Sequence, residues 1–124
     1  LRPATPLAVD NAAGWMANQT PEGRSDPAAA LRLAFLLDPE VVYLVSTDIT
    51  GAGVYEIDRD VLFSLLDEIN PKDASGRRIA TVRCIQLLDE DRLGTLREIA
   101  RRHGPENSEE TGFAFIGRKE LGLE

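Results

Sequence analysis

Val41-Val42-Tyr43-Leu44-Val45, running into Ser46-Thr47-Asp48, is the stretch on which the fold turns. Five consecutive apolar residues, β-branched or aromatic at four positions, form a strand, and the lack of polar alternation marks a strand buried within a parallel sheet. Just upstream, Asp26 caps a helix, Pro27 suits its first turn and Pro39 stops it, which predicts helix over 27–37. Ala30, Leu31, Ala34 and Phe35 make its inner face, widened by Leu33 and Leu37. Downstream, Asp58 caps a helix to Ile69 whose apolar set is Val61, Leu62, Leu65, Leu66 and Ile69. Asn70-Pro71 ends it, and 72–77 reads as a solvated turn. Ile79–Leu87 is a second β-branched strand.

Working outward, Asp89-Glu90-Asp91 opens a helix reaching His103, with Leu93, Leu96, Ile99 and Ala100 turned inward and Gly104-Pro105 as its stop. Phe113–Ile116 is a last short strand, and 117–124 is weakly helical. Val54–Ile57 adds a short extended piece. Before all of these, Val9–Asn18 is a modest helix with Ala12, Trp15 and Met16 on one stripe. Strands joined by single helices imply right-handed crossovers and a parallel sheet with helices on both faces. The expectation is a single Rossmann-like α/β layered domain over 1–124, with a short, mainly parallel sheet of three strands flanked by helices.

Composition narrows the function. The chain has 124 residues, 14 Lys and Arg against 21 Asp and Glu, and a net charge of −7, which repels a phosphate backbone and argues against nucleic acid as partner. The lone Cys84 excludes an internal disulfide and any multi-cysteine metal centre, and its place in a strand reads as inert core. Apolar runs are too short to span a bilayer, so no membrane insertion is expected within these residues. The start at Leu1, without initiator Met or basic-then-apolar leader, reads as a boundary or a processed end.

In a parallel unit a helix runs antiparallel to the strand that follows it. The start of helix 27–37 and the end of strand 41–45 therefore share the carboxyl edge of the sheet, where open α/β sheets bind ligands. Ser25, Asp26, Ser46, Thr47, Asp48, Gly51, Asp89 and Asp91 gather there by topology. Hydroxyls with carboxylates are hard donors suited to Mg²⁺, Mn²⁺ or Ca²⁺ rather than zinc. For Asp26, Asp89 and Asp91 helix capping is the favoured reading over ligation, whereas Asp48, just past a buried strand in a Gly-containing loop, stays open to either. Thr50-Gly51-Ala52-Gly53 lacks the Lys-Ser/Thr ending of a phosphate loop. His103, in a last helical turn, reads as a partner of the helix dipole.

Three segments carry a resemblance to the von Willebrand factor A (vWA) domain, specifically the C-terminal half of its bacterial type. Pro21-Glu22-Gly23-Arg24-Ser25-Asp26-Pro27, before Ala28-Ala29-Ala30-Leu31, resembles the family's Gly-Gly-Thr-Asp loop and following helix. Val41 through Asp48 resembles its hydrophobic strand ending in Thr-Asp-Gly. Leu93 to Ala100, His103-Gly104 and Phe113-Ala114-Phe115 resemble its last helix and strand. The likeness spans roughly 9–117. It implies a metal-ion-dependent adhesion site in which Ser25 takes the threonine's place and Asp48 the aspartate's, with Mg or Mn as the ion. The Asp-x-Ser-x-Ser motif is missing, Ile49 replaces a glycine, and Arg24 places a guanidinium where it opposes a cation. The resemblance thus implies a truncated or divergent vWA-like interaction module, non-enzymatic, with weak or lost metal binding. It also implies an uncovered apolar strand that pairs with a protein partner or with a second copy as a homo-oligomer. The alternative is a small metal- or phosphate-dependent α/β enzyme using Asp48 with Asp89 or Asp91.

Overall fold

The structure is a computed structural model that describes residues 3–20, 22, 26–50, 57–105 and 112–123. Its elements run α1 (Pro6–Ala17), α2 (Pro27–Phe35), β1 (Val41–Ser46), α3 (Arg59–Ile69), β2 (Thr81–Leu88), α4 (Thr95–His103) and β3 (Phe113–Gly117). The three strands form one parallel sheet in the order β1-β2-β3, with Val42 beside Val82, Leu44 beside Cys84, and Cys84 beside Phe113. The small α/β layered domain read from the sequence is the one observed. The short extended piece expected at 54–57 falls largely outside the described residues, and 118–122 forms turns rather than helix.

Local chemistry sets the helix boundaries. Asp26 accepts from the Ala29 amide at 3.0 Å and Asp58 from that of Asp60 at 2.8 Å, so both caps work as read. Thr5 caps α1, and Pro6 occupies its first position, which starts that helix earlier than Val9. The core lies between the helices and one face of the sheet. Leu62, Leu66, Leu96 and Ile99 are wholly buried against Val82 and Cys84, each worth about 2 kcal/mol of transfer from water. Leu31 joins from α2, and Phe35, Val42, Leu44 and Phe113 pack at the margin. Phe63, not Val61, completes the inner face of α3; it lies beneath the guanidinium groups of Arg59 and Arg102, at 5.0 and 4.4 Å from the ring centre.

Among the described residues the helices cover one face of the sheet, not both. The sheet advances β1-β2-β3 without reversing, and successive crossovers of one hand place their helices on one side. A helix on the opposite side needs a reversal of strand order, which the described strands lack. Their other face carries Val41, Tyr43, Val45, Ile85, Leu87, Ala114 and Ile116, with Thr81 and Arg83 beside Val41 and Tyr43, and Tyr43 is 64% exposed. The stripe expected on α1 is likewise uncovered: no residue of α1 is buried, and Trp15 and Met16 face solvent.

Candidate functional site

At the carboxyl edge, β1 ends where the Ser46 hydroxyl donates to the Asp48 carbonyl at 2.8 Å, turning the chain back toward the core. Ile49 and Thr50 are buried behind that turn, and the Thr50 and Thr95 hydroxyls share a hydrogen bond of 2.6 Å that ties the loop to the start of α4. Beyond β2, Leu88 takes a left-handed conformation at φ 70°, and Gln86 donates to the Asp89 carbonyl at 2.9 Å. The Asp91 carboxylate accepts from the amides of Leu93 and Thr95, each at 2.8 Å. Gly94 adopts φ 60° between them, so α4 starts at Thr95 rather than directly after the acidic run.

Topology therefore brings Asp48, Asp89 and Asp91 close enough to interact. Partial burial raises the Asp48 pKa, with smaller contributions from the charges of Asp91 and Asp89. The neighbours are already engaged. Both Asp91 oxygens accept backbone amides, one from the Leu93 turn and one from the first residue of α4, and Asp89 is forked by Arg118, which holds its pKa below the usual carboxylate range. A cation would have to displace those partners. Among the described residues no group of three or more His, Cys, Asp or Glu side chains is placed to hold a metal ion. The donors that the described residues supply do not fit the implied ion. Thr47 is exposed on the same turn, while Ser25 and Gly51 lie outside the described residues.

Asp26 and Ser46 do meet, across a cleft of about 260 Å³ between α2 and β1 that Pro27, Ala30, Leu44, Val45 and Ile49 complete. A larger cleft of about 580 Å³ opens at the other end of the same junction, lined by Ala34, Leu37, Val41 and Val42 with Asp38 and Glu40 at its rim. Both are apolar in their walls and acidic at their ends.

A second polar cluster, at the amino edge, escaped the sequence reading. Asn70 is fully buried and pairs both backbone groups of Ala80, at 2.9 and 2.8 Å. Its amide nitrogen also meets His103 Nδ1 at 3.3 Å, which leaves the ring proton on Nε2, 3.5 Å from Asp67. Arg78 donates to Asp67, to the Asn70 carbonyl and to the Arg102 carbonyl, closing the ends of α3 and α4 together. Burial pushes His103 down to about 4, so it is neutral at pH 7 and is a core residue rather than a charge on the helix dipole. Burial likewise pushes the Cys84 thiol up to about 12, consistent with the inert role read for it.

The surface that the sequence reading missed altogether is the uncovered sheet face. Its signal was Arg83, a charged residue in the middle of a strand taken as covered on both sides. Compared with family models, curated proteins and solved structures, the chain gives no match.

Proposed function

We propose that this chain is a non-enzymatic protein-interaction module built on a vWA-like scaffold. The observation that carries the reading is the uncovered apolar sheet face, on which Val41, Tyr43 and Val45 are 45, 64 and 53% exposed side by side. A row of large apolar side chains left exposed along one strand, with Ile85 beside Val45, marks an interaction surface more often than a single exposed residue does. The commitment of Asp89 and Asp91 to structural partners favours this reading over metal- or phosphate-dependent catalysis at Asp48.

A photo-crosslinking residue installed at Tyr43, with a control at the exposed Ser64 on α3, tests it. Exposure to cell extract should yield a discrete crosslinked protein at Tyr43 alone, lost in Val45→Lys. Equal labelling at both positions, or none at Tyr43, would sink the proposal. In the same preparation Asp48→Ala should leave partner capture unchanged; a turnover abolished by that substitution would favour the enzyme instead.

A further inference from the structure

Among the described residues no strand pairs with the outer edge of β1. The Glu40 carbonyl accepts from the Thr81 amide at 2.9 Å, which points that residue's backbone groups toward β2. Alternation along the strand then directs the N–H and C=O groups of Val41, Tyr43 and Val45 away from the sheet. None of the usual edge protections is present in β1: it has no proline, no lysine and no inward charge. The two clefts between α2 and β1 flank this edge on its helix side. They are entered beside Val42 and Leu44, two residues apart, the spacing of side chains i and i+2 on an added strand.

Charge selects the occupant. Asp38 and Glu40 stand at one end of the edge, and Asp26 and Asp48 at the other, while among the described residues no Lys or Arg lines either cleft. Two copies pairing their β1 edges about a two-fold axis would run antiparallel and bring Glu40 of each copy toward Asp48 of the other. Like charges meeting at both ends of a short strand oppose that pairing, as does the net charge of −7.

We infer that the β1 edge is a strand-docking site for an extended segment of another protein, apolar in its centre and basic at both ends. The segment adds a fourth strand through main-chain hydrogen bonds to Val41, Tyr43 and Val45. Alternate apolar side chains enter the two clefts, and the flanking cations meet the acids beyond them. This rests on the interaction-module reading above and specifies the partner for it.

The test uses the whole ¹⁵N-labelled chain at about 0.15 M salt. The probe is a synthetic peptide of alternating valine and threonine closed by lysine pairs at both ends. Amide exchange at Val41, Tyr43 and Val45 should slow on adding it. The same peptide closed by glutamates should bind at least about tenfold more weakly. N-methylation of its alternate amides should abolish protection without any change to the protein. Equal protection by the two peptides would overturn the charge selection. Protection that rises with protein concentration before any peptide is added would show self-pairing and overturn the choice of occupant. No protection by either peptide would overturn the site itself. In that case a surviving Tyr43 crosslink would leave the interaction reading in place, and a lost one would remove both.

Discussion

His103 has no exposed surface and sits among Asn70, Arg78 and Asp67, so its protonation is coupled to folding. Its pKa is about 4 in the folded chain, against 6.5 for the unperturbed group. Between those values the unfolded chain binds more protons, so stability is complete above pH 6.5 and is lost as pH falls toward 4. At about 1.4 kcal/mol per unit, the loss reaches about 3 kcal/mol near the folded pKa. Urea denaturation across that window should show this slope, and His103→Gln should flatten it. Glu98, held down to about 2 by Arg101 and Arg102, adds a second loss only below pH 4.5. Asn70→Ala should cost about 3 kcal/mol at neutral pH, because it strands both backbone groups of Ala80 in the core. Calorimetric melting would read it directly. The sequence placed His103 in a last helical turn correctly but gave no sign of the cluster, because its members come from three separate segments. Only the folded crossover lays the Asn70 amide against that ring and the Arg78 guanidinium against the neighbouring Asp67.

Among the elements, the caps at Asp26 and Asp58 were legible because an N-cap acts on amides two or three residues away. The start of α4 was not. Asp91 reads as a first-turn acid, whereas it closes a turn through Gly94 before the helix begins. Asp91→Ala should therefore destabilise by about 1–2 kcal/mol through two lost amide acceptors, and it should also lower the raised pKa of Asp48. Thermal melts and the Asp48 carboxyl resonance would report each effect. At the other end of α4, a Cβ on Gly104 would lie 2.2 Å from the Ala100 carbonyl oxygen, a backbone atom with no rotamer to yield. Gly104→Ala should cost at least about 2 kcal/mol in denaturant unfolding. The inner face of α3 shows the limit of periodicity. The predicted stripe takes in Val61 and leaves out Phe63, whereas Phe63 is the buried one, beneath two guanidinium groups, and Val61 is exposed.

For the whole molecule, the parallel sheet and its three strands were legible from apolar runs joined by helices, whereas the side on which the helices fall depends on strand order. Three strands advancing in one direction leave a bare face that the near-continuous apolar run of β1 hides and only Arg83 in β2 betrays. That asymmetry gives two residue classes with opposite tolerance. Val82, wholly buried, should lose about 2 kcal/mol on substitution by Ala, whereas Val45→Thr on the bare face should change stability by less than about 0.5 kcal/mol. The same asymmetry sets how the chain behaves with its own copies. The acids around β1 and the net charge of −7 oppose edge pairing, and both act through a field that salt screens. Raising sodium chloride to about 1 M shortens the screening length to about 3 Å and also strengthens the apolar drive. Sedimentation at pH 7.5 should thus show a monomer at ordinary ionic strength and association at high salt. Val45→Lys, which places a cation on the free strand, should stay monomeric in both. Association of that variant equal to the native chain's would locate self-contact elsewhere, with the exposed stripe of α1 around Trp15 and Met16 as the surface to change next.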